Sequence, residues 1–203
     1  MKKLTLNDKF GLTEAVINGT KTMTRRIIPE LRYKNIQEGC YEWNPMKGTV
    51  TVMEVSDDFK TIEVKPQYEI GENVAVAQTY TEIFHSIDNI IEKEDFIKDI
   101  MRQYWPTAKT SEIAGWRNKM YVASKLMPYR IIIRCVSIQR MQRITDREAL
   151  REGIYAEETG LSEEEKKYRY TYKGCRYKRR FKTPKEAFAD MIDQVYGKGV
   201  WEE

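Results

Sequence analysis

Apolar and polar side chains alternate over residues 49–55 and again over 59–64. This predicts two strands, and Ser56-Asp57-Asp58 between them predicts the turn of a hairpin. Residues 10–18 instead space Leu12, Ala15 and Val16 for one side of a short helix, with Gly19 placed to cap its C-terminus. Residues 20–28 read as a strand or extended turn ended by Pro29. Gly71-Glu72 leads into residues 73–80, a run apolar enough for a buried strand. Over residues 88–104 the period becomes helical, carried by Ile90, Ile91, Phe96, Ile97, Ile100 and Met101 and broken at Trp105-Pro106. This is a helix inserted between strands. Residues 130–140 form the clearest strand pattern, with Ile131, Ile133, Cys135, Val136 and Ile138 set among arginines.

Two helix starts are written in their caps. Thr145-Asp146-Arg147-Glu148 has the capping-box spacing, and Gly153 can end that helix two turns later. Thr183-Pro184-Lys185-Glu186 opens a last helix, with Ala187, Phe188, Met191, Ile192 and Val195 as its buried stripe. Strands dominate the middle and helices bracket it. The expectation is an α+β fold, a small curled sheet or barrel flanked by short helices.

The chain has 203 residues, 41% hydrophobic and 33% charged, enough for a packed core and neither a disordered tail nor a fibre. One domain is expected over residues 1–203, with a helical insertion at about 81–115. The longest apolar runs fall far short of the roughly 20 residues a membrane span needs. The opening Met1-Lys2-Lys3 turns polar at once, so a cytoplasmic protein is expected. Three cysteines (Cys40, Cys135, Cys175) without C-x-x-C spacing argue against a disulfide framework or a cysteine zinc site. A single histidine, His85, excludes any site that needs two. No metal or cofactor is implied, and the available chemistry belongs to Lys, Thr, Ser, Tyr and carboxylates.

Charge is concentrated in one place. Residues 166–182 hold nine basic residues and no acid, and subtracting nine from the net +4 leaves −5 for everything else. Tyr168, Tyr170 and Tyr172 alternate as on a strand, Lys173-Gly174 suits a turn, and 176–182 would return as the second strand of a hairpin. Such a ribbon offers rings for bases and cations for phosphates through Lys173, Arg176, Tyr177, Lys178, Arg179 and Arg180. It equally suits an exposed edge kept soluble by lysines, with the tyrosines in the core. Trp105 and Trp116 are open to the same two readings, stacking or core.

Gly19-Thr20-Lys21-Thr22-Met23-Thr24-Arg25-Arg26, after a short helix, resembles the G-x-K-T-x-T-R-R signature of ASCH-domain proteins. Tyr68-Glu69-Ile70-Gly71-Glu72-Asn73-Val74, residues 130–138, and the helix running to Glu152-Gly153 resemble later family pieces in the expected order. Trp116-Arg117-Asn118-Lys119-Met120 and Tyr196-Gly197-Lys198-Gly199-Val200-Trp201 are similar to a longer, phage-associated branch. The resemblance implies a PUA-like β-barrel associated with RNA. In that branch Trp-Glu precedes Asn-Pro and a closing strand, whereas Trp201-Glu202-Glu203 stands here, so the barrel closes differently or lacks that strand.

Small bacterial members of the wider family are amidohydrolases that deacetylate acetylcytidine with a Lys, a Thr and a Glu. By motif these fall on Lys21, Thr24 and Glu152. The resemblance implies that Thr24 attacks the amide carbonyl, Lys21 takes its proton and Glu152 protonates the leaving amine. A lysine base must be depressed from its usual value near 10.4 by burial or neighbouring cations, for which Arg25 and Arg26 are in place. Those arginines equally suit an oxyanion or a phosphate. Glu152 falls in the last turn of its helix, where the macrodipole disfavours a carboxylate, the direction a general acid needs. Residues three apart on a flat strand face opposite ways, so Lys21 and Thr24 converge only if the chain bends at Thr22-Met23. Three functions follow: an RNA- or nucleotide-binding module using this cleft, an amidohydrolase on an acylated cytidine, and a ribonuclease. A structural or protein-interaction role would use the same tyrosine-rich ribbon.

Overall fold

The computed structural model describes residues 1–31, 36–44, 46–54, 60–104, 113–159, 167–175 and 179–201. In chain order its elements are β1 (Lys3–Leu4), α1 (Leu12–Ile17), β2 (Ile36–Asn44), β3 (Thr49–Glu54), β4 (Thr61–Val64), β5 (Asn73–Val76), α2 (Tyr80–Ser86), α3 (Ile90–Tyr104), α4 (Ala114–Arg117), β6 (Arg130–Ile132), α5 (Asp146–Arg151), β7 (Tyr155–Thr159), β8 (Lys167–Thr171) and α6 (Pro184–Tyr196). The fold is mixed α+β. Among the described residues the strands form three separate sheets, and no helix is long and apolar enough to cross a membrane. The chain divides into two compact units, residues 1–8 with 71–133 and residues 9–70 with 134–203.

In the first unit β1 runs parallel to β5, and β6 pairs antiparallel with β5, placing Asn73 opposite Ile132. Val74, Ala75, Val76 and Ala77 are all buried, which explains a continuous apolar run where one face alone would give alternation. The strand ends at Val76, short of the expected residue 80. Thr79 opens α2 instead, its hydroxyl accepting from the Glu82 amide while the Glu82 carboxylate accepts from the Thr79 amide at 2.6 Å. Thus the 81–115 region carries α2 and α4 as well as the expected long helix. In α3 the core residue is Ile100, with Phe96 and Met101 packed partly against the cluster; Ile90 and Ile91 at its N-terminus are exposed. Trp116 packs on Tyr80 and Phe84, with ring centroids 6.3 and 6.4 Å apart, which is the core alternative for that ring. Trp105 lies outside the described residues.

β6 is also shorter than its pattern. Only Arg130–Ile132 is strand, because β5 offers a ladder as far as Asn73. The Ile133 amide still bonds Glu72 O at 3.0 Å, and from there to residue 140 the apolar alternation continues without a paired strand.

The second unit holds the expected hairpin, β3 against β4 with Val52 opposite Ile62, and β2 on the other edge of β3. The turn residues 56–58 lie outside the described residues. Val50, Val52, Val64 and Leu31 form this sheet's core. β8 pairs chiefly with β7, a strand absent from the sequence expectation, with Tyr155 opposite Thr171 and Thr159 opposite Lys167. Among the described residues the expected return of the basic segment survives as an isolated bridge, Tyr170 to Phe181, with both amides bonded at 3.0 and 2.9 Å. α6 begins with a complete Thr183/Glu186 capping box and Pro184 in its first turn, and buries Ala187, Phe188, Met191 and Ile192.

Candidate functional site

The site is built where the loop after α1 meets the end of α5. Gly19 leaves α1 with φ 73°, a left-handed conformation that glycine adopts without strain. The Lys21 amide then bonds Ala15 O at 2.9 Å. Consecutive amides of Thr22 and Met23 both donate to Arg151 O, at 2.9 and 3.1 Å. On a flat strand successive amides point to opposite sides, so the backbone bends at the two residues where the geometry demands it. Residues 20–28 form neither strand nor helix.

α5 starts with the Thr145/Glu148 capping box and ends in a Schellman-type turn. The Gly153 amide bonds Leu150 O at 3.1 Å, and the Ile154 amide bonds Ala149 O at 3.4 Å. Gly153 has φ 105°, and a Cβ there would lie 3.2 Å from Leu12 Cδ2 and 3.8 Å from Lys21 Cδ. A glycine is therefore favoured by the left-handed backbone and by the close approach of Leu12, while the lysine stem lies at ordinary contact distance.

Lys21 and Glu152, 131 residues apart in sequence, meet here. The Lys21 ammonium donates to Glu152 Oε2 at 2.6 Å and to Glu152 O at 2.8 Å, and both residues are buried, at 3% and 2% exposure. Burial lowers the Lys21 pKa from its usual value; the Glu152 charge and hydrogen bond oppose this, and Arg25 and then Arg26 reinforce it. The ammonium also satisfies a terminal carbonyl of α5, where the helix dipole favours a cation. A pair of this kind can serve structure alone, as a C-cap, or chemistry, by moving a proton between two groups held in contact.

Arg25 is largely buried beside the pair. Its Nη1 donates to Glu152 Oε1 at 3.1 Å, and its Nη2 lies 3.2 Å from Glu148 Oε2. With the Gln139 amide oriented oxygen-inward, that oxygen accepts from Arg25 Nε at 3.3 Å and also from Nη2. The Thr145 amide, its hydroxyl and the Arg25 charge hold the Glu148 carboxyl below its usual range, against a partial burial that raises it. Arg26 and Thr24 are exposed, and neither of the Lys21 hydrogen bonds goes to Thr24. Tyr196, at the end of α6, completes the surroundings: burial raises its phenol, the Arg26 charge lowers it and the Glu152 charge raises it.

The basic ribbon has a different character. Lys173 pairs with Glu14, Arg179 with Asp190 at 3.0 Å and Arg180 with Glu157 at 2.8 Å. The Lys173 stem lies over Gly11, where a Cβ would come within 2.4 Å of its Cδ. Tyr172 is buried and its hydroxyl bonds Asp190 and Gln194, while Tyr168 is exposed. Arg176, Tyr177 and Lys178 lie outside the described residues. Thus Lys173, Arg179 and Arg180 are each tied to an acid of this chain.

The motif resemblance points to Lys21, Arg25 and Glu152, and the structure brings these three side chains together. Sequence reasoning missed Gln139, for which no local signal exists, and read Glu148 only as a cap. Among the described residues no group of three or more His, Cys, Asp or Glu side chains is arranged to hold a metal ion. No protein-family model, curated protein or solved structure matches the chain.

Proposed function

We propose that the chain is an amidohydrolase that cleaves the acyl–nitrogen bond of an acylated cytidine, with Lys21 as base, Thr24 as nucleophile and Glu152 as acid. The observation that carries this reading is the buried contact at 2.6 Å between Lys21 and Glu152, two residues with no neighbourhood in sequence. Burial disfavours the charge-separated form relative to water, so the pair is suited to pass its proton and present a neutral amine beside a protonated carboxyl. Thr24 Oγ would attack the amide carbonyl and give its proton to Lys21. Glu152 would protonate the departing nitrogen, releasing cytidine and leaving an acyl ester on Thr24. Lys21 would return the proton taken from Thr24 to Glu152, then take a proton from the attacking water and pass it to the Thr24 oxygen as the acid departs, which restores the hydroxyl. The reading requires the exposed Thr24 side chain to come within hydrogen-bond reach of Lys21 when substrate is bound.

The exposed Arg26 beside the pair favours a second reading, an RNA- or nucleotide-binding module without cleavage. The PUA-like barrel that the motif resemblance implies is compatible with either. The deciding experiment incubates purified protein with acetylcytidine and separates the products by chromatography, beside Lys21→Ala and Thr24→Val. Cytidine release that disappears in both variants supports the amidohydrolase. No release by folded wild-type protein overturns it, and salt-sensitive nucleotide binding would then support the second reading.

A further inference from the structure

The motif resemblance offers Arg25 and Arg26 together as phosphate or oxyanion ligands, yet the two side chains have opposite environments. Arg26 is exposed, whereas the Arg25 side chain keeps 11% exposure and its guanidinium faces acceptors of this chain. We propose that Arg25 is a positioning residue that fixes the Glu152 carboxylate against Lys21. For its kinetic consequence this rests on the amidohydrolase reading; for its structural consequence it does not.

A carboxylate has two oxygens, and the terminal torsion of a glutamate side chain is soft. Lys21 alone holds Oε2, at 2.6 Å, which leaves rotation of the group open. Arg25 Nη1 on Oε1 at 3.1 Å closes it, so that Oε2 is the oxygen presented to the amine. The guanidinium is held in turn on its other edge, by Glu148 Oε2 at 3.2 Å and by the Gln139 oxygen on Nε and Nη2. Glu148 is itself fixed by the α5 capping box, its Oε2 accepting from the Thr145 amide at 2.9 Å. The bracket therefore refers the Glu152 carboxylate to both ends of α5 and to the segment that carries Gln139. Only a planar fork of donors can meet acceptors on three sides at once; a lysine ammonium here would keep the charge and lose the plane.

The second consequence is electrostatic. Arg25 is a positive charge beside Lys21 and disfavours its protonated form. Removing that charge leaves Lys21 facing Glu152 with less opposition, so its proton is held more tightly and less neutral amine is present near neutral pH.

Two substitutions separate these effects. Arg25→Lys keeps the charge and loses the fork; Arg25→Gln loses the charge. Protein labelled with 13Cε-lysine is titrated by NMR, with the Lys21 signal assigned by its loss in Lys21→Met, and acetylcytidine turnover is followed against pH in parallel. Arg25→Gln is expected to move the Lys21 titration upward and the acid limb of kcat with it. Arg25→Lys keeps the charge, so it is expected to move that titration less than Arg25→Gln does, while kcat falls about 10- to 100-fold, the scale of a catalytic group held about 1 Å out of place. An unmoved Lys21 titration in Arg25→Gln, or wild-type kcat in Arg25→Lys, overturns the proposal. If wild type releases no cytidine, the amidohydrolase reading fails while the NMR titration still decides the role of Arg25. If Arg25→Gln does not fold, Arg25→Lys decides, because a Lys21 titration and a kcat both unchanged after loss of the fork overturn it as well.

Discussion

Lys21→Met removes the ammonium at the centre of the site while nearly conserving side-chain length. Glu152 Oε2 and Glu152 O then lose their donor at once. Breaking a buried ion pair by deleting one partner costs about 3–5 kcal/mol, mostly because a charge is left uncompensated. Here Arg25 still faces Glu152 Oε1 at 3.1 Å, which places the expected loss at the lower end, about 3 kcal/mol. For a chain of this size that is a fall in Tm of roughly 6–12 °C. Urea unfolding of wild type, Lys21→Met, Glu152→Gln and the double variant gives the coupling directly. The two single losses are expected to exceed the double loss by about 0.5–3 kcal/mol. The difference between wild type and Lys21→Met also depends on pH. Burial lowers the folded Lys21 pKa below the unfolded value of 10.5, so between those two values the unfolded chain binds more protons. The unfolding free energy of wild type should therefore gain on that of Lys21→Met as pH rises toward 10.5. A Lys21→Met change within about 0.5 kcal/mol of wild type, the scale of an ordinary surface substitution, would refute the buried pair.

Three further outcomes are expected. Gly153→Ala forces a side chain onto φ 105° and against Leu12 Cδ2, and should cost about 1–3 kcal/mol in urea unfolding. Thr183→Ala removes the hydroxyl that accepts from the Glu186 amide at 3.2 Å and should lower stability by about 1 kcal/mol, with Thr183→Ser close to wild type. Tyr172→Phe leaves Asp190 and Gln194 without their shared hydroxyl and should cost about 1–3 kcal/mol; in wild type, burial and the hydrogen bond to Asp190 keep this phenol protonated, so tyrosinate absorbance at alkaline pH should lack one tyrosine that appears only on unfolding.

Local chemistry in the sequence determined what depends on a few neighbouring residues. The helix starts at Thr145 and Thr183 are legible because a capping box is a contact between residues three apart, and the stripe of α6 because its period is local. The same rule would have found α2 from Thr79 and Glu82. The bend at Thr22-Met23 was foreseeable as a condition, since side-chain alternation is a property of any strand.

Tertiary structure decided what depends on partners. Residues 130–140 keep a strand's alternation, yet only three of them find a ladder, because the antiparallel partner β5 begins at Asn73, opposite Ile132. The density of lysine and arginine in residues 166–182 says nothing of Glu14, Asp190 and Glu157, the acids that the fold brings to Lys173, Arg179 and Arg180. Arg25 and Arg26 are adjacent and chemically identical in sequence, and only the positions of Glu148, Gln139 and Glu152 make one a buried bracket and leave the other exposed. Charge is a property of a side chain, whereas its compensation is a property of the space around it, which is why the tertiary structure decided it.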